Sequence, residues 1–68
     1  MEDNWTTVYT TAEKYLAEMA RQMLRDNGID TVIMDKQDTA YPSIGYIEVM
    51  VKKENIAVAE KLIKEFEP

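Results

Sequence analysis

The sequence predicts a small α+β domain, and three observations support this fold class. Three runs rich in β-branched and aromatic residues indicate β-strands. Two longer segments carry apolar residues at spacings of three and four, which is typical of amphipathic helices. These elements follow one another in the order β-α-β-β-α within 68 residues, so we expect a single domain covering residues 1–68.

The first strand leads directly into the first helix. "WTTVYT", residues 5–10, is predicted as the strand. Thr10 and Glu13 have the spacing of a capping box, and Thr11 is an alternative N-cap. The apolar stripe of the helix that follows comprises Ala12, Leu16, Met19, Ala20, Met23 and Leu24.

A glycine marks the end of this helix. Gly28 fits the left-handed C′ position, where a side chain would be strained. Ile29 would then fold back on Leu24, which is the apolar contact of a Schellman motif. This ending leads into a second strand, "TVIMD", Thr31–Asp35.

The third strand, "YIEVMV" at residues 46–51, has the clearest strand pattern in the chain. Its side chains alternate between the two faces of a sheet. One face has Ile47, Val49 and Val51, and the other has Tyr46, Glu48 and Met50. A second helix opens at Glu54 or Asn55, and its apolar residues are Ile56, Ala59, Leu62, Ile63 and Phe66.

Together these elements predict a ferredoxin-like fold that lacks its last strand. The βαβ crossover should be right-handed, and the second and third strands are consecutive and should pair as a hairpin. We therefore expect a three-stranded antiparallel sheet in the order 1-3-2, with both amphipathic helices on one face. The first strand would then have an edge that is open to pairing.

Composition excludes several classes of function. The chain has no cysteine and no histidine, so disulfides, zinc fingers, thiol catalysis and histidine-based acid–base catalysis are not expected. We predict that the protein is not an enzyme and uses no cofactor or metal. Thirteen acidic and eight basic residues give a net charge of −5, which disfavours nucleic acids and anionic membranes as partners.

Chain length and the N-terminal sequence predict the oligomeric state and the cellular location of the protein. A domain of 68 residues has a small core, and without disulfides or metals self-association is the remaining source of stability. We therefore expect a homo-oligomer, with a dimer as the first expectation, or an unknown protein partner. No apolar run reaches membrane-spanning length, and "MEDNW" lacks the features of a signal peptide, so a cytoplasmic protein is expected.

Several stretches resemble a family of short bacterial proteins. They are "VY" before the first helix, "GI" after it, and "GYIEVMV" and "NIAVAEKLIKEFE" toward the C-terminus. This family is described as "putative prokaryotic signal transducing protein", has a βαββα core and is grouped by fold with the PII-like nitrogen-regulatory proteins. The resemblance implies the fold predicted above and a role in signalling. The matching positions are Val8, Tyr9, Leu24, Gly28, Ile29, Gly45, Val49, Val51, Ala59 and Leu62.

The uncovered face of the predicted sheet is the first candidate site. If Val8 and the apolar set of the third strand face the helices, aromatic and methionine side chains lie on the uncovered side, where polar residues are expected. Contiguous exposed apolar surface often marks an interface. The second strand is apolar on both faces, with Val32 and Met34 on one and Ile33 on the other. The candidate interface comprises Trp5, Tyr9, Ile33, Tyr46 and Met50. Alternatively, Trp5 and the loop between the second and third strands fold over this face and shield it within one subunit.

The connection between the second and third strands, residues 36–45, is the second candidate. Long connections in compact domains are often functional, and its candidate recognition residues are Lys36, Asp38, Thr39 and Tyr41. The alternative is a structural loop that Tyr41 and Ile44 hold against the sheet. A catalytic pair of Asp35 and Asp38 is not favoured, because a thin α/β layer forms no deep cleft.

Two functions remain open at this point. The first is a non-catalytic regulatory or interaction module that self-associates through the uncovered sheet face or the first-strand edge. The second is a small-ligand sensor of the PII-like type, for a nucleotide or metabolite. An anionic ligand would then need basic partners, for which the candidates are Lys36, Lys52 and Lys53.

Overall fold

The computed structural model describes residues 4–37 and 45–66 of the chain. Its elements are β1 (Trp5–Thr11), α1 (Lys14–Asp26), β2 (Thr31–Asp35), β3 (Ile47–Lys52), a 3₁₀ turn (Lys53–Asn55) and α2 (Ile56–Phe66). The strands form one three-stranded antiparallel sheet in the order β1-β3-β2. The α+β class, the ferredoxin-like order of elements and the 1-3-2 strand order are thus confirmed.

The core lies between the sheet and both helices, and β3 is at its centre. Ile47, Val49 and Val51 alternate along β3 and are all 0% exposed. They pack in one cluster with buried residues of both helices, so the helices cover the same face of the sheet. The helix residues in this cluster are Ala17, Ala20 and Leu24 of α1 and Ala59 and Ile63 of α2.

The core side of α1 differs from the predicted stripe. Ala17 and Ala20 are fully buried, whereas Met19 is 54% exposed and Met23 is only partly buried. Two alanines at a spacing of three let the helix approach the sheet closely, which leaves the longer methionine side chains at the flank of the contact. Met19 therefore belongs to the protein surface and not to the core.

A β-bulge in β1 changes the face on which Tyr9 lies. Thr7 is opposite Met50 and Tyr9 is opposite Val49, so Val8 is an additional residue in β1 that disturbs the register. Val8 and Tyr9 both pack against the core, and the Tyr9 ring contacts Phe66 edge-on at 5.7 Å between ring centroids. The expected placement of Tyr9 on the uncovered face is wrong, because simple alternation fails at the bulge.

The register of β2 corrects a second interface residue. Ile33 lies opposite Val49 and packs against the core. Its neighbours Val32 and Met34 lie opposite Met50 and Glu48, on the side away from the helices. The placement of Ile33 on the uncovered face is therefore wrong, and Val32 and Met34 occupy that face instead.

The two ends of α1 match the sequence pattern to different degrees. Neither predicted cap is the N-cap of α1, because Thr10 and Thr11 both lie in β1 and Glu13 occupies the N-cap position without a side-chain capping hydrogen bond. The Thr11 hydroxyl instead accepts a hydrogen bond from the Glu13 N–H at 3.1 Å, just before the helix. At the other end the Schellman motif is confirmed. The Ile29 N–H donates to the Leu24 carbonyl at 3.1 Å, and Gly28 has a φ of 80°. Ile29 is 5% exposed, so this turn carries the chain back into the core.

The junction between β3 and α2 is held by the residue before β1. The Lys53 N–H donates to the Asn4 carbonyl at 2.6 Å, which ties the start of the 3₁₀ turn to the start of the first strand. The second helix follows this turn and begins at Ile56. Within residues 4–37 and 45–66, the helices are too short or too polar for any of them to span a bilayer.

Candidate functional site: the open face of the sheet

We call the sheet surface that faces away from the helices the open face. Cross-strand pairing places on it alternate residues of each strand. They are Trp5, Thr7 and Thr10 of β1, Glu48, Met50 and Lys52 of β3, and Val32 and Met34 of β2, with Lys36 and Tyr46 at one end.

Apolar side chains lie exposed across this face. Val32 is 39% exposed, Met34 47% and Tyr46 42%, and Met50 lies half-buried beside Val32. A sheet with one solvated face normally carries polar side chains there. The open face thus has apolar area of the kind that is enriched in protein interfaces.

Glu48 is the centre of a polar network at one end of the open face. Its Oε1 accepts a hydrogen bond from the Thr7 hydroxyl at 3.2 Å and forms an ion pair with Lys36 Nζ at 3.3 Å. The Glu48 side chain is only 16% exposed, so the carboxylate is shielded by its neighbours. One side chain of β3 therefore contacts β1 and the residue that directly follows β2.

Lys52 forms the second charged pair, at the opposite end of β3. Its Nζ lies 3.4 Å from Asp30 Oδ2 and 5.9 Å from the ring centroid of Trp5, which is within the range of a cation–π contact. Each of the two lysines on this face has an acidic partner, so the charges of these two ion pairs cancel. The excess of acidic residues that gives the chain a net charge of −5 is therefore not found in these two pairs.

Only the ends of the connection between β2 and β3 fall within the described residues. Lys36 donates its N–H to the Tyr46 carbonyl at 2.8 Å, and Gln37 Nε2 donates to the Ala12 carbonyl at 2.7 Å. Asp35 accepts a hydrogen bond from the Gln37 N–H at 3.0 Å, which is a structural role. Of the candidate recognition residues, Asp38, Thr39 and Tyr41 lie outside the described residues, as does Ile44.

The three lysines considered for an anionic ligand do not come together. Lys52 and Lys53 line a depression of about 140 Å³ with Asn4 and Glu54. Lys36 instead pairs with Glu48, which lies four residues from Lys52 on β3, or about 13 Å along the strand. The depression is also small beside ordinary ligand sites, which hold roughly 300–1,000 Å³.

Metal binding and acid–base chemistry have little support in the described part of the chain. Within residues 4–37 and 45–66, acidic side chains do not form a group of three or more that could hold a metal ion. The acidic residue that is best shielded on the open face, Glu48, is already engaged by Thr7 and Lys36. The arrangement is suited to contact with another surface.

The structure brings together part of the predicted interface. Trp5, Tyr46 and Met50 lie on the open face, whereas Tyr9 and Ile33 pack toward the helices. Sequence reasoning did not select Val32 and Met34. Their signal was the alternation within "TVIMD", but the choice of face required the pairing of β2 with β3.

Comparison with known proteins identifies one family. A family model described as "Putative prokaryotic signal transducing protein" matches residues 5–67, a span that includes every strand and helix of the fold. No curated protein and no solved structure matches the chain.

Proposed function

Because the chain belongs to the family described as "putative prokaryotic signal transducing protein", we propose that it is a non-catalytic signalling module of the bacterial cytoplasm. In this proposal two copies associate through their open faces, and the assembled form is the one that acts on further partners. The observation that carries the proposal is the exposed apolar area of Val32, Met34 and Tyr46 on the side of the sheet without helices.

Burial of this area would supply the driving force. Removing apolar surface from water contributes about 25 cal/mol per Å². The sheet and helix layers span only 15 Å in the thinnest direction, and within residues 4–37 and 45–66 both helices lie on the same side of the sheet. A second sheet packed at about 10 Å would provide one, as in a β-sandwich.

The charges of the open face permit this contact. A face with a net charge would repel an identical face in a symmetric dimer. The pairs of Lys36 with Glu48 and of Lys52 with Asp30 balance within each copy, so two copies can approach without net repulsion. A contact limited to three short strands is small, and we expect dissociation constants in the micromolar range.

The edge of β1 is the alternative surface for self-association. It is seven residues long, "WTTVYTT", and contains no charged side chain of the kind that blocks edge pairing. The bulge at Val8 opposes this alternative, because it interrupts the regular spacing of hydrogen-bonding groups along the edge. We therefore favour the open face.

A pair of valine substitutions tests the proposal. Val32→Lys places a charge on the open face, whereas Val58→Lys makes the same change on α2, where Val58 is 56% exposed. Sedimentation at high micromolar concentration should show dimers for the unchanged protein and for Val58→Lys, and monomers for Val32→Lys. Far-UV circular dichroism checks that all three proteins retain their helices.

Two results would contradict the proposal. Monomers of the unchanged protein at high micromolar concentration would exclude the dimer. Equal sedimentation of the two lysine variants as dimers would exclude the open face, and a variant with a proline in the middle of β1 would then test the edge.

The ligand-sensor function is the second candidate, and it relies on the depression beside Lys52 and Lys53. A thermal-shift screen of nucleotides and anionic metabolites separates the two functions, because a ligand at 100 times its dissociation constant stabilises a protein by about 2.7 kcal/mol. We expect no shift. A shift that disappears in Lys53→Ala would instead support the sensor.

A further inference from the structure

A second apolar surface lies on the other side of the molecule, between the helices. The C-terminal half of α1 and the last turns of α2 border a shallow groove of about 480 Å³ that is open to solvent, with Met19, Met23 and Phe66 among its lining residues. An adjoining depression of about 330 Å³ shares Met23, Asn27 and Phe66 with it and adds Leu62. The two depressions are therefore one continuous feature, which we call the helix groove.

The floor of the helix groove is both apolar and adaptable. Met19 is 54% exposed, and Tyr15, one turn earlier on α1, is 63% exposed and extends the apolar stripe. Methionine side chains are flexible and fit partners of varied shape. The Phe66 ring makes an edge-on contact with the Tyr9 ring, which packs against the core.

The rim of the helix groove is acidic. Asp26 and Glu65 are the two charged residues that line it, and none of the described lining residues is basic. Both helices end here, and the C-terminal end of a helix also carries partial negative charge. The polar residues on the rim are engaged within α1, since the Gln22 amide donates to Asp26 at 2.8 Å and the Asn27 amide donates to the Met23 carbonyl at 2.8 Å.

The dimensions of the groove suit a helix. Met19 and Asn27 are eight positions apart, which corresponds to about 12 Å along the axis of α1. Anchors at positions i, i+4 and i+7 of a partner helix span about 10 Å. An apolar floor with an acidic rim is complementary to apolar anchors that are flanked by lysine or arginine.

We propose that the helix groove binds a short amphipathic helix of a partner protein that presents apolar anchors flanked by basic residues. This surface lies on the helix layer, away from the open face of the sheet. The module would thus pair with its own copy on one side and with a basic helix on the other. The small contact would give the weak, reversible binding that is common in signalling.

The first test uses a labelled helical peptide of about 15 residues, with leucines at i, i+4 and i+7 and lysines beside them. Fluorescence anisotropy should show binding that weakens more than about tenfold when glutamates replace the lysines. Absence of binding at about 1 mM protein would overturn the proposal. So would equal affinity for the two peptides.

Matched methionine variants locate the site. Met19→Lys alters the groove floor, and Met34→Lys alters a methionine of similar exposure on the open face. We expect Met19→Lys to lose peptide binding and keep the dimer, and Met34→Lys to do the reverse. Loss of peptide binding only in Met34→Lys would overturn the groove proposal, while a failure of dimerisation in all proteins would bear on the proposed function alone.

A pair of matched glutamate variants tests whether the acidic rim itself binds the lysine peptide or whether the net charge of the protein attracts it. Glu65→Lys and Glu60→Lys change the net charge equally and lie on the same helix, but only Glu65 lines the groove. Glu65→Lys should weaken the lysine peptide about fivefold and Glu60→Lys less than about twofold, with both effects reduced at high salt. Equal losses in the two variants would show that the peptide senses only the overall charge and would overturn the proposal.

Discussion

The two faces of β3 have different roles in this protein, although their residues alternate along a single strand. On the helix side, Ile47, Val49 and Val51 are 0% exposed and form the centre of the core. On the open face, Met50 and Glu48 are only partly covered, and the residues beside them in β2 are exposed. One side of the strand is thus part of the core, and the other is available for contact.

This difference separates stability from association. A side chain that is already removed from water contributes to folding, whereas an exposed apolar side chain contributes only when a second molecule covers it. Substitutions on the helix side should therefore change the free energy of unfolding. Substitutions on the open face should change the sedimentation of the protein with little change in its folding.

The largest effect is expected from truncation on the helix side. Ile47→Ala removes buried methyl and methylene groups and leaves a cavity, so it should lower the free energy of unfolding by about 2–5 kcal/mol. Met50→Ala, three positions along on the open face, should cost less than about 1 kcal/mol. Urea denaturation of the monomeric Val32→Lys background measures both. Similar losses at the two positions would show that the open face is already covered within one subunit.

The next effect concerns the point where the chain re-enters the sheet. Gly45 has a φ of 101°, and a Cβ there would collide with the Lys36 carbonyl oxygen and lie 2.9 Å from the Gln37 Cα. Gly45→Ala should therefore cost more than about 2 kcal/mol. Gly28 has a φ of 80° with nothing within 4 Å of a Cβ, so Gly28→Ala should cost about 1 kcal/mol.

Each of these two glycines lies in a turn that places the next residue on a different face of the sheet. Gly28 precedes Ile29, which enters the core, and Gly45 precedes Tyr46 on the open face. Thermal unfolding of the two alanine variants, followed by circular dichroism, shows which substitution destabilises the protein more. A larger loss of stability in Gly28→Ala would contradict the close approach of Gly45 to the Lys36 backbone.

The smallest effect is expected within the polar network of the open face. Glu48→Ala removes the hydrogen bond from Thr7 and the ion pair with Lys36, and should lower the free energy of unfolding by about 1 kcal/mol. Glu18→Ala breaks an exposed ion pair with Arg21 on α1 and should cost less than about 0.5 kcal/mol. If both variants lose the same free energy of unfolding, the partial burial of Glu48 does not strengthen its interactions. The dimer should also weaken in Glu48→Ala, because Lys36 is left without its acidic partner.

Much of the fold follows from local patterns in the chain. The alternation in "YIEVMV" predicted which residues of β3 are buried, and Gly28 with Ile29 predicted the Schellman ending of α1. The bounds of β2 were predicted as Thr31–Asp35, as observed. These features depend only on residues within a few positions of one another, so they can be predicted from short stretches of the sequence.

The candidate site was predictable only in part, for a physical reason. The positions of Trp5, Tyr46 and Met50 follow from alternation within unbroken strands, but Tyr9 follows a bulge that strand propensity does not reveal. The helix groove could not be predicted from the sequence for a similar reason. Met19 fits the apolar stripe of α1, and its exposure depends on how closely the alanines dock against the sheet.

The fold class, the number and order of the strands and helices, and the lack of cysteine and histidine side chains follow from the chain alone, because each depends on composition or short-range periodicity. The faces of the sheet on which Tyr9, Ile33 and Met34 lie are set by the tertiary structure. The same is true of the hydrogen bond that Glu48 accepts from Thr7, a residue 41 positions away. Such pairings are set by the register between strands, and the register is chosen by packing of the whole core and not by any short stretch of the chain.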